Sequence, residues 1–139
     1  MNHAAKPDLS WLLNDITEVA DVSYAVVATT DGLVHTAAGR IDQDGADRAA
    51  ANLSAVMSVA KQAAGIDGDA ANRVRQCVLE FDNGWLYGMA AGANTVLGVR
   101  AGRGVDPSVL AHRMAGVASR VREHLSVDLR STTAGSVPQ

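Results

Sequence analysis

Acyl transfer requires a nucleophile beside a base, and a bound metal requires ligands at a fixed spacing. The chain offers four histidines and one cysteine for such work. His3 falls in the leading segment and His35 in a strand-like run. His112 and His124 share a helical run but stand too far apart for an i,i+4 metal pair. Each reads as a solvated or packed ring. Cys77, inside RVRQCVLEF, reads as a small buried hydrophobe, and nothing near it in sequence supports a reactive thiol. A single cysteine excludes an internal disulfide, so the chain gives no sign of an oxidising compartment.

Two other stretches invite a ligand. Gly102-Arg103-Gly104 precedes a helix and offers backbone amides to an anion. It lacks both GxGxxG and GxxxxGK[ST], and the nearby Asp106 would repel phosphate, so a strand-to-helix turn is the better account. The acidic segment 40–47 (RIDQDGAD) suggests calcium. With Gly45 at the sixth position of an EF-hand loop, however, the first would be Arg40 and the twelfth Ala51, where carboxylates are needed. These acids instead suit a helix N-terminus. No nucleophile–base pair, metal set or cofactor fingerprint emerges, so the chain reads as a non-enzyme without a cofactor.

The chain is organised around 46–64 (ADRAAANLSAVMSVAKQAA), whose residues favour a helix. At about 100° per residue, Ala49, Ala50, Leu53, Met57, Ala60 and Ala64 form one apolar face. Asn52, Val56, Val59 and Ala63 form a second beside it. Asp47, Ser54, Ser58, Lys61 and Gln62 mark the polar strip. A surface helix normally carries an apolar arc of roughly 100°, whereas this one spans ~180°. In a chain of 139 residues, that excess points to contact with a second chain.

Length fits one domain, and 47% apolar residues suffice for a core. A net charge of −3, with no basic run among 12 lysines and arginines, argues against a nucleic-acid surface. The start MNHAAKPDLSW has no apolar signal core, and no stretch approaches ~18 uninterrupted apolar residues, so a cytoplasmic protein without membrane insertion is expected.

Residues 1–8 read as a flexible lead-in, 9–125 as the folded domain and 126–139 as a flexible, Pro/Gly-punctuated tail. Pro7 and Asp8 open a helix, capped by Asp8 or Ser10, that buries Leu9, Leu12, Leu13, Ile16, Val19 and Ala20. Trp11 points away, covering a loop or meeting a partner. Strands follow at 24–30 and 33–38 around Asp31-Gly32, a type I′ hairpin signal. After the central helix come strands at 73–81, 85–91 and 95–101. The last helix, 107–125, opens on Asp106-Pro107 and buries Leu110, Met114, Val117, Ala118, Val121 and Leu125. Arg113, Arg120 and His124 line its polar side, as a solvated face or a dock for an acidic partner. The order α-β-β-α-β-β-β-α gives an α+β domain: one five-stranded antiparallel sheet covered by helices on both faces.

This order, with LSWLLNDITEV, YAVVATTDGLVHTAAG, the alanine-rich central helix and TVLGVRAG, resembles the roadblock/LC7 family across roughly 9–125. It most resembles the roadblock subunit of actinobacterial conservon operons, encoded beside a sensor kinase and a Ras-like GTPase. The resemblance implies a profilin-like fold with two helices on one sheet face and the central helix on the other. It implies a homodimer that pairs central helices antiparallel through Asn52, Val56, Val59 and Ala63. The third strands would then join at 73–79, which includes Arg73, Arg75, Cys77 and Leu79. It also implies a small-GTPase partner met by Asp47, Arg48, Ser54, Ser58 and Lys61, with any activation coming from the GTPase's own repositioned residues. The alternatives are a structural adaptor linking a sensor histidine kinase to a complex, or a small-molecule sensor.

Overall fold

The computed structural model describes residues 9–136, with side chains described as far as Leu125. The expected lead-in at 1–8, including the Asp8 cap, and residues 137–139 lie outside the described residues. A 3-10 turn, Ser10–Leu13, runs into the short helix α1, Asn14–Thr17. Ser10 begins this turn and Leu9 occupies the cap position, so the opening segment is shorter and tighter than the helix its apolar spacing predicts. Its stripe survives: Leu12, Leu13, Ile16 and Val19 are buried, while Ala20 is exposed.

Strands β1 (Val22–Thr29) and β2 (Val34–Gly39) form the first hairpin. Their turn is not the two-residue I′ type. Gly32 N donates to Thr29 O at 3.0 Å and Thr29 N to Leu33 O at 2.8 Å, closing a three-residue loop. Gly32 has a φ of 89°, whereas Asp31 is absent from the positive-φ residues. A type I turn followed by a left-handed glycine is the next common hairpin solution, and Asp-Gly serves both.

Helix α2 runs Gln43–Ala64 and starts earlier than expected. The acidic segment supplies its first turn: Asp42 Oδ1 accepts from Gly45 N at 2.7 Å. Such a cap contributes about 1 kcal/mol. Strands β3 (Gln76–Phe81), β4 (Gly84–Ala90) and β5 (Thr95–Gly102) complete one antiparallel sheet in the order β2-β1-β5-β4-β3. Helix α3, Pro107–Ser136, is capped by Asp106, whose Oδ1 accepts from Ser108 N and Val109 N at 3.0 and 3.3 Å. It continues through 126–136, where composition suggests a flexible tail. No proline or glycine interrupts 126–134, and the first breaker there is Gly135.

Strand alternation divides the interior into two clusters. Ala25, Val27, Leu97, Val99 and Ala101 pack with Leu13, Ile16, Leu110, Met114, Val117 and Val121. Val26, Ala28 and Val96 pack with Ala50, Leu53 and Met57 of α2 on the other face. Gly88 of β4 pairs with Gly98 of β5 directly beneath the helix. A Cβ at Gly98 would stand 2.7 Å from Leu53 Cδ2, and one at Gly88 would stand 3.1 Å from Leu53 Cδ1. The two bare backbones form the hollow that receives Leu53.

Candidate self-association surface

The apolar excess of α2 is on the outside. Ala46, Ala50, Leu53 and Met57 are buried, but Val59 is 66% exposed, and Asn52 and Ala63 are also exposed. Val56 is half-buried on the same flank. The opposite flank faces the first hairpin, where Ser54 Oγ donates to Thr30 O. The helix packs mainly on β1, β2 and β5, and Leu53 and Met57 reach Gly88 of β4.

That placement leaves the far side of the sheet partly bare. Cys77 packs towards the α2 cluster, and alternation puts Leu79 and Phe81 on the same face. Leu79 pairs with Leu86 of β4, which in turn pairs with Arg100 of β5. Leu79 and Phe81 are 36% and 41% exposed, and Val78 on the reverse face is 48% exposed. Strand β3 is also a sheet edge, with one side of its backbone unpaired. An exposed apolar edge of this kind is a template for another strand. The other edge, β2, is blunted. Its pairing carries a register shift opposite Val27/Ala28, and the 3-10 turn and α2 both pack on it.

The third strand, expected from sequence to join at 73–79, lies further along, at Gln76–Phe81. Segment 70–75 is held as a loop by Asn72 Nδ2, which donates to Ala64 O at 2.9 Å, and by Asp69 Oδ1, which accepts from Ala71 N at 2.9 Å. Arg73 and Arg75 therefore precede the strand, while Cys77 and Leu79 are part of it. Burial raises the Cys77 thiol above its ordinary pKa. Less thiolate is then present near pH 8, so alkylation by iodoacetamide should run slower than for free cysteine. A rate equal to that of the free amino acid in a stopped-time assay would contradict this placement.

Two arginines of the β5 end fix the tip of the β3–β4 hairpin. Arg103 Nε donates to Asp82 O at 3.0 Å, and Nη2 to Phe81 O at 2.7 Å. Its Nη1 pairs with Glu80 Oε2 at 2.6 Å, and the guanidinium lies 4.8 Å from the Trp85 ring centroid. Arg100 donates to Trp85 O at 3.2 Å and Asn83 Oδ1 at 2.7 Å, above the Phe81 ring at 4.8 Å. The edge strand is thus held in place by its own chain. Arg103→Ala is expected to speed amide exchange at the hairpin tip by several-fold and to cost about 1 kcal/mol of stability. Hydrogen exchange read by NMR at Asn83 and Gly84 checks it.

The remaining sequence candidates find internal uses. The Gly102–Gly104 loop is occupied by the protein itself: the Asp21 carboxylate accepts from Gly104 N, and Asp21 O accepts from Gly102 N at 2.8 Å. On α3, Arg120 Nη2 meets Asp15 Oδ2 at 2.7 Å, and Arg113 Nη1 donates to Asp15 O at 2.8 Å. These arginines stitch α3 to α1 on a face that stays solvated, with the Arg113 and Arg120 side chains 40% and 45% exposed. Trp11 is 56% exposed, and its ring meets His124 edge-on at 6.2 Å. Of the proposed GTPase contacts, Asp47, Ser58 and Lys61 are exposed along one strip, whereas Ser54 is engaged by the hairpin. Arg48 lies about 100° round the helix from Asp47, towards the apolar flank. Sequence reasoning missed Phe81 and Ile66, exposed apolar residues beside the surface it identified. Phe81 could have been found by following strand alternation past Leu79.

A sheet held between helical layers, with one edge and one helix flank left apolar, defines an α/β sandwich domain with an open side. The Roadblock/LC7 domain model matches residues 10–101, and the chain belongs to that family. It is similar to a roadblock/LC7 domain from Streptomyces avermitilis at 38% identity, with a TM-score of 0.78 over 86% of this chain and 98% of that one. A second such domain from that organism is 28% identical, with a TM-score of 0.61 over 86% and 99% of the two chains. Myxococcus xanthus MglB shares the fold at 14% identity, with a TM-score of 0.78 over 91% and 94%. No curated protein matches. Among the described residues, no helix is long and apolar enough to cross a membrane.

Proposed function

We propose that this chain is a homodimeric regulator or scaffold of a Ras-like small GTPase and is not itself an enzyme. The observation that carries this reading is the continuity of two exposed apolar features, the α2 flank and the β3 edge. Two copies related by a twofold axis would join their β3 edges and lay their α2 helices side by side on the combined sheet. Asn52, Val56, Val59, Ala63, Cys77 and Leu79 would be shared between the copies, with Arg73 and Arg75 at the approach to the strand. Membership of the family supports the GTPase partner, and one MglB structure has a tetrameric arrangement, which supports self-association. Asp47, Ser58 and Lys61 remain outward on such a dimer and form the GTPase-facing strip.

Any acceleration of hydrolysis would come from repositioning the GTPase's own groups, in a cytoplasmic complex that includes a sensor kinase. The experiment is to mix the protein with the GTPase encoded beside it and follow GTP hydrolysis and binding together. Faster turnover supports the regulator. Tight binding with unchanged turnover supports the adaptor reading, and absence of binding overturns both. A ligand sensor has less support, because Thr36 and Thr95 are the buried polar residues among those described, too few to orient a small molecule.

A further inference from the structure

A glycine on each side of an arginine makes a loop that does not hold its own shape, because glycine opens backbone conformations closed to other residues. Gly102-Arg103-Gly104, between β5 and α3, is such a loop. Yet Arg103 keeps Asp82 O, Phe81 O, the Glu80 carboxylate and the Trp85 ring within reach together. A side chain holds that set of contacts only when its backbone is fixed from elsewhere. The anchor is Asp21, in the turn between α1 and β1. Its carbonyl accepts from Gly102 N at 2.8 Å, and its carboxylate accepts from Gly104 N. One residue therefore grips the loop on both sides of Arg103.

The residue types fit this grip. A Cβ at Gly102 would stand 2.7 Å from Asp21 Oδ2, and one at Gly104 would stand 2.9 Å from the same atom. The two glycines clear the space that the carboxylate fills. Asp21 has a φ of 69°, in the left-handed region where aspartate and asparagine are the usual non-glycine occupants. What the loop holds lies across the sheet. The order β2-β1-β5-β4-β3 sets β5 and β4 between the strand that follows Asp21 and the edge. Strand β3 is paired on one side only, and Val78, Leu79 and Phe81 are exposed along it. A strand of that kind opens from its hairpin tip unless the tip is pinned, and Arg103 is the pin.

We propose that Asp21 is a positioning residue for the β3 edge: it sets the β5–α3 loop, the loop aims Arg103, and Arg103 keeps the strand ordered for a second copy. The last step rests on the dimer reading above; the first two concern one copy alone. The turn after α1 and the far margin of the sheet are thereby coupled. A partner that draws the Asp21 carboxylate away from the loop would loosen an edge it never touches.

Amide exchange by NMR in the full Val56→Asp chain tests the coupling within one copy. Asp21→Gly keeps the left-handed backbone and removes the carboxylate. It is expected to speed exchange at Asn83 and Gly84 about threefold. Asp21→Asn keeps both the backbone and an acceptor oxygen, and should leave those amides at the parent rate. Made on top of Arg103→Ala, Asp21→Gly should add almost nothing, since the two residues act in series. Equal acceleration with and without Arg103 would mean that Asp21 acts through general stability, and overturns the proposal. No acceleration, or as much from Asp21→Asn as from Asp21→Gly, overturns it too. Sedimentation equilibrium of Asp21→Gly in the otherwise wild-type chain should show a dimer dissociation constant raised about threefold. An unchanged constant beside a loosened tip removes the role in association. A wild type with the mass of one chain at micromolar concentration removes the dimer reading and that role, whereas the exchange series decides the coupling by itself.

Discussion

Val56→Asp is expected to turn a dimer into a folded monomer, with association weakened at least a hundredfold. The residue is half-buried within one copy and sits on the exposed apolar flank of α2, between Asn52 and Val59. In the proposed pair it lies on the flank that the two copies share, so one substitution places a carboxylate from each copy in a contact emptied of water. Each desolvated charge costs several kcal/mol, and like charges repel besides. The single copy loses little, because an aspartate on that flank is hydrated as soon as the copies separate. Light scattering should give the mass of one chain, and circular dichroism should remain that of the wild type. An unchanged mass would mean that the wrong flank has been assigned.

Leu53→Ala is expected to cost 4–5 kcal/mol of unfolding free energy, towards the upper end of the ~2–5 kcal/mol range for buried leucines. Leu53 is 1% exposed and fills the hollow over Gly88 and Gly98. Cavity penalties fall when neighbouring side chains relax inwards, but two glycines on paired strands have none to offer. Urea denaturation of the wild type and variant checks the value. A loss below about 1.5 kcal/mol would mean that α2 settles onto the sheet and closes the hollow. Because α2 also carries the proposed dimer flank, the same variant should weaken association in proportion to any tilt of the helix.

The fold was legible where period and punctuation agreed. Strand-like apolar runs gave all five strands, Asp106-Pro107 marked the start of α3, and the two-faced strands implied helices on both sides. Boundaries were less legible where polar side chains replaced periodicity. Asp42 drew α2 back to Gln43, and Asn72 held 70–75 as a loop ahead of β3. The arc of α2 announced an apolar surplus, yet its wheel could not tell which polar residues were committed. Ser54 reads as free surface in sequence, but it is taken by a carbonyl 24 positions away. Arg113 and Arg120 read as a charged strip for the same reason, since their partner Asp15 is remote in the chain. The Gly102–Gly104 amides resembled an anion cradle because the carboxylate that fills it, Asp21, lies 83 positions away. Long-range pairing of this kind leaves no local signature.

The asymmetry between the two margins of the sheet has a further consequence. In the proposed dimer, strand addition through β3 would consume the one receptive margin of each copy, and β2, bulged and flanked by helical segments on both faces, offers nothing for a third copy to extend. Polymerisation by this route stops at two, so the chain can display an apolar margin without seeding filaments. Any larger assembly must be built from other surfaces.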